Sequence, residues 1–63
     1  MTFGEKLRTI RESRDLSQEA FAALLGTSKQ VISRYERGER VPTITTVIHY
    51  TRILKIPFMY WGE

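Results

Sequence analysis

The sequence predicts an all-α fold, a compact bundle of four to five short helices in a single domain over residues 1–63. Three observations predict it. Apolar residues recur at steps of three and four along almost the whole chain, which lines one side of a helix. No run alternates apolar with polar residues, and no Asn-Gly pair offers a hairpin turn. Helix-starting serines and threonines and helix-stopping glycines bracket the apolar segments in the right order.

Each element follows from those signals. Phe3, Leu7 and Ile10 share one stripe, giving a first helix that ends near Asp15. Ser17 is a good N-cap, and Leu16 before it can pack on Phe21 as a hydrophobic staple. Ala20 holds the place where a capping box would need Glu or Gln. A second helix runs from Gln18 to Leu25 and stops at Gly26, which accepts a left-handed backbone. Ser28 caps a third helix from Lys29 to Arg37, stopped by Gly38. Pro42 and Thr43 open a fourth, with Ile44, Val47, Tyr50, Thr51 and Leu54 on its inner stripe. Lys55 stands where a glycine would end that helix most comfortably. Pro57 opens a last turn through Phe58, Met59, Tyr60 and Trp61.

Composition removes several classes of function. A chain of 63 residues carries one modest core, and 41% apolar residues suffice for it. With no cysteine there is neither a disulfide framework nor a thiolate metal site. A membrane span needs about 20 apolar residues. The longest apolar runs, Ala20 to Leu25 and Ile56 to Trp61, fall far short of that. Met1 to Lys6 lacks the apolar stretch of a secretory signal, so a soluble, cytoplasmic protein is expected. The only histidine, His49, has no second ligand at metal spacing, and there is no glycine-rich phosphate loop. The carboxylates are scattered as a solvated helix surface would scatter them. A binding module without metal or cofactor is expected, and not an enzyme.

Charge points to the partner. Ten Lys and Arg face seven Asp and Glu, for a net charge of +3. Between Thr27 and Arg40 lie four of those cations, Lys29, Arg34, Arg37 and Arg40, against Glu36 and Glu39. Gln18 to Arg37 also forms two short helices around a tight glycine turn, a helix-turn-helix. At about 100° per residue, Lys29, Gln30, Ser33, Arg34 and Arg37 share one arc of the third helix. Val31, Ile32 and Tyr35 take the other, with Glu36 at the boundary. The polar arc holds no acid and is rich in donors suited to base edges and phosphates.

These residues resemble a known family. Leu16-Ser17-Gln18-Glu19-Ala20-Phe21-Ala22, Leu25-Gly26-Thr27-Ser28, Ile32-Ser33-Arg34-Tyr35-Glu36-Arg37-Gly38 and Pro42 are similar to the Xre or Cro-type phage-repressor helix-turn-helix family. The similarity runs from about Leu7 to Trp61 and implies a lambda-repressor-like domain of bacterial or phage origin. It further implies sequence-specific binding of double-stranded DNA, a regulatory and repressor role at the nucleoid, and a homodimer on a palindromic operator. Base contacts then fall on Lys29, Gln30, Ser33 and Arg34. Phosphate contacts fall on Gln18, Ser28, Arg37 and Arg40. Glu36 matches the family's glutamate that pairs with a first-helix arginine, here Arg11. Thr27, in place of an apolar residue, and Lys55, in place of a glycine, depart from the pattern away from the reading face.

Two other functions fit a helix-turn-helix. One is the antitoxin of a toxin–antitoxin pair with autoregulatory DNA binding, although no extra segment to cover a toxin is evident. The other is a protein-interaction domain, which would present apolar residues on the third helix. Phe58, Met59, Tyr60 and Trp61 either close the core, or part of the cluster, Phe58, Tyr60 and Trp61, is exposed and forms a dimer contact, since tryptophan and tyrosine are favoured anchors at interfaces.

Overall fold

The computed structural model describes residues 1–62, and every α-helix begins at a side chain that caps it. Helix α1, Phe3–Ser13, opens with a full capping box. The Glu5 amide donates to Thr2 Oγ1 at 3.2 Å, and the Thr2 amide donates to Glu5 Oε1 at 2.9 Å. The Thr2 amide, and after it the Thr2 side chain, hold the Glu5 carboxyl below its ordinary range by hydrogen bonding to it. Ser17 caps α2, Gln18–Leu25; Ser28 caps α3, Lys29–Glu36; Thr43 caps α4, Ile44–Leu54. A 3₁₀ helix, Phe58–Gly62, follows. No strand occurs among the described residues.

The four α-helices among the described residues all stop in the same way. One residue turns left-handed, and the next amide reaches back to the carbonyl five residues earlier, as in a Schellman motif. The bonds are Leu16 to Arg11, Thr27 to Ala22, Glu39 to Arg34 and Ile56 to Thr51. The left-handed residues are Asp15, Gly26, Gly38 and Lys55. Two are glycines and two are not. Asp15, at φ 54°, ends α1 two residues before the spacing predicts. Its short polar side chain tolerates that conformation. Lys55, at φ 56°, gains nothing of the kind. It carries the steric cost of its Cβ.

Helices α2 and α3 have eight residues each, too few to persist alone in water. Packing makes them. Leu7, Phe21, Leu25, Ile32 and Leu54 are almost fully buried, with Tyr35 and Tyr50 beside them. Each such aliphatic or phenyl group adds about 1.5–3 kcal/mol on burial. Gly4 sets the approach of α1 to α3, because a Cβ there would sit 1.8 Å from the Tyr35 carbonyl oxygen. α4 departs from expectation at one place. Ile44 is 63% exposed and lies outside the inner stripe, since it occupies the first turn after the Thr43 cap.

The 3₁₀ helix returns to α1. Trp61 Nε1 donates to Thr51 Oγ1 at 2.7 Å, and its ring lies 4.8 Å from that of Phe3. Lys6 Nζ donates to the Tyr60 carbonyl at 2.7 Å. No helix of the described residues is long and apolar enough to cross a membrane.

Candidate nucleic-acid interface

Helix α3 carries two surfaces of opposite character. Its inner side, Ile32 and Tyr35, is buried. Its outer side brings Lys29, Gln30, Ser33, Arg34 and Arg37 around one shallow depression. Lys29, Gln30 and Arg34 are exposed there, and their side chains make no hydrogen bond or ion pair among the described residues. Ser28 Oγ accepts from the Val31 amide at 3.3 Å and so fixes where this surface begins.

Beneath that surface lies a buried ionic group. Arg11 Nε and Nη2 reach Glu36 Oε2 and Oε1 at 2.8 and 3.1 Å, a two-pronged pair. Arg11 Nη1 donates to the Leu16 carbonyl at 2.9 Å, and Gln18 Nε2 donates to Glu36 Oε1 at 3.1 Å. Arg11 and Glu36 side chains are 14% and 4% exposed. The bonds to Glu36 raise the Arg11 guanidinium above its ordinary range, against desolvation that lowers it. No buried side-chain nitrogen or oxygen among the described residues lacks a partner. The group joins α1, the start of α2 and the end of α3, so the angle between the two helices of the motif is locked from inside.

Not every residue expected at the surface stands free. One amide hydrogen of Gln18 is committed to Glu36. Arg37 is the C-cap of α3, one residue past the helical span, and donates through Nη1 to Ser33 Oγ. Its Nε and Nη2 reach Glu39 Oε2 and Oε1 at 2.9 and 3.0 Å. Arg40 lies over the Tyr35 ring, 5.6 Å from its centre, within the range of a cation–π contact. The roles of Gln18 and Arg37 in these internal pairs escape sequence reasoning, which places residues on a face and says nothing of partners across the turn. Glu39 is missed for the same reason.

Of the three aromatic residues at the C-terminal turn, Tyr60 and Trp61 are half-buried, and Phe58 is exposed. Phe58 and Trp61 line an open apolar groove with Phe3, Val41, Ile44 and Met59. Met59 is 78% exposed, and Val41, 86% exposed, is not singled out by sequence reasoning.

Comparison with known proteins gives a consistent result. Residues 7–61 match the family model HTH_3, Helix-turn-helix. The HTH-type transcriptional repressor RghR of Bacillus subtilis (strain 168) is 43% identical over 58 residues, 90% of this chain and 43% of that protein. The P22 c2 repressor, solved in complex with synthetic operator 9T, superposes with a TM-score of 0.83 at 26% identity, over 97% of this chain and 92% of that one. The restriction-modification controller protein C.AhdI from Aeromonas hydrophila gives 0.78 at 32% identity, over 89% and 81%. The chain spans half or less of the length of the curated relatives it matches.

Proposed function

The chain belongs to the helix-turn-helix family, and from that premise we propose that it is a sequence-specific binder of double-stranded DNA and a transcriptional repressor, cytoplasmic and working at the nucleoid. One observation carries this reading: α3 presents uncommitted Lys29, Gln30 and Arg34 outward while Arg11, Gln18 and Glu36 lock it from behind. An exposed face of free donors on a rigid support suits base edges in the major groove. RghR, named a repressor, and the P22 c2 repressor in its operator complex support it by likeness.

Roles follow from chemistry. Arg34 and Lys29 suit guanine O6 and N7, Gln30 suits adenine, and Ser33 adds a hydroxyl. Ser28, Arg40 and the remaining amide hydrogen of Gln18 suit phosphates, which set register without reading sequence. Arg37 has three of its five N–H donors committed to Glu39 and Ser33, so a full two-pronged grip on a phosphate competes with Glu39. A single module covers about 600–1,000 Å² on DNA, too little for tight binding. Two copies on a palindromic operator, with half-sites about 34–36 Å apart, supply the rest. The second copy of this chain meets the first at the groove of Phe58, Met59 and Trp61. That groove is small against the roughly 1,200–2,000 Å² of a stable interface, so pairing happens on the DNA.

One set of titrations tests both parts. After selection of a site from a random duplex pool, Arg34→Ala should cost about 1–3 kcal/mol on that site and relax preference at one position. Met59→Ser should weaken cooperative filling of two half-sites and leave one half-site unaffected. Full sequence preference in Arg34→Ala would refute α3 as the reading helix, and unchanged cooperativity in Met59→Ser would refute the groove.

A further inference from the structure

Glu39 lies three residues past α3, beyond the Gly38 turn, on the border of the surface expected to meet DNA. A carboxylate at that place repels a polyanion, so it costs affinity for every duplex alike. It gives little stability in return. Arg37 and Glu39 side chains are 55% and 56% exposed, and such pairs contribute little in water. What the pair does supply is geometry. Glu39 takes two prongs of the Arg37 guanidinium, at 2.9 and 3.0 Å, and the third, Nη1, falls on Ser33 Oγ in the middle of the reading face. A long, rotatable arginine becomes a strut between the turn and Ser33. Its donation also occupies a lone pair of the Ser33 oxygen, which favours the hydroxyl as a donor toward a base acceptor.

We propose that Glu39 is a specificity-determining residue, which holds Arg37 across Ser33 and off the phosphates, exchanging sequence-independent affinity for discrimination at the base facing Ser33. The proposal rests on the DNA-binding reading above. Its logic is repulsive as much as attractive: a duplex with the wrong base gains nothing from an arginine that is already spoken for.

The test uses the full chain in four forms: wild type, Glu39→Gln, Arg37→Ala and the double variant. Each is titrated with its selected site and with random duplex across a salt series. Glu39→Gln frees Arg37 for a phosphate, so random-duplex affinity should rise about fivefold and the salt slope should steepen by about one. The ratio of selected to random affinity should fall at least threefold. In the Arg37→Ala background, Glu39→Gln should leave that ratio nearly unchanged, because only the weaker influence of the Arg34 charge on Glu39 remains. An equal effect in both backgrounds would overturn the proposal, since Glu39 would then act only as a charge. No effect in either would overturn it too. Failure of the wild type to bind any duplex at low salt would instead overturn the DNA-binding reading, and this proposal with it.

Discussion

Two of the arginine–glutamate pairs among the described residues share nearly equal geometry and stand in opposite settings. Arg11 grips Glu36 at 2.8 and 3.1 Å, and Arg37 grips Glu39 at 2.9 and 3.0 Å. The first is largely shielded from water among three helices, and the second stands in it. Identical contacts therefore do different things. The inner pair cannot lose one partner without stranding a charge in a poorly hydrated place. The outer pair exchanges its partner for water, or for a phosphate, at little cost. Distance alone would rank the two as equals; burial separates a structural joint from a releasable one.

Three experiments break or sharpen that contrast, taken from the largest effect to the smallest. Gly4→Ala attacks the inner pair through the backbone, because the new Cβ would meet the Tyr35 carbonyl and push α1 away from Glu36. A loss of more than about 3 kcal/mol is expected in denaturant unfolding. Unchanged stability would mean that α1 does not need its close approach. Glu36→Ala leaves Arg11 without its counter-charge and should cost about 3 kcal/mol. Replacing both residues by apolar ones, Arg11→Met with Glu36→Leu, should recover most of that loss. If the double variant is as unstable as the single one, packing and not the stranded charge explains the inner pair.

The smallest effect is the acid response of the outer pair. The hydrogen bonds and charge of Arg37 hold the Glu39 carboxyl below its ordinary 4.5, and Arg37 is held correspondingly high. A depressed folded-state value adds stability above the unfolded one, and that stability is lost as pH falls through the lowered value. An NMR titration of the Glu39 carboxyl should thus show its midpoint below 4.5, returning toward 4.5 in Arg37→Ala. A midpoint that does not move would mean the pair is not formed in solution.

What sequence made legible divides along the range of the interactions. The all-α order, the serine caps of α2 and α3 and the glycine stops after them are local, so propensity and spacing reveal them. The capping box of Thr2 and Glu5 is equally local and readable as threonine followed three residues later by glutamate. The early stop at Asp15 is not, because aspartate marks a left-handed stop far less strongly than glycine does. The donor-rich arc of α3 follows from helical arithmetic. The commitment of Gln18 to Glu36, of Arg37 to Glu39 and of Trp61 to Thr51 does not, since each needs a turn geometry or a chain crossing that spacing cannot supply. The Arg11–Glu36 pair, 25 residues apart, comes into view only through family likeness.

The return of the 3₁₀ helix onto α1 has a consequence for how the molecule opens. Lys6 and Tyr60 are joined across 54 positions of the chain, farther apart in sequence than the partners in any other hydrogen bond described above. Closing so long a loop is entropically expensive, and the aromatics this contact adds around the buried Lys6 are only half-buried. Such a contact forms late in folding and exchanges its amide protons early, in a sub-global opening that leaves the rest intact. The inner ionic joint and the α2–α3 packing lie outside that unit. The four helices thus form the kernel and the 3₁₀ helix a latch upon it, which touches α3 only through Phe3, on the buried side away from the outward face.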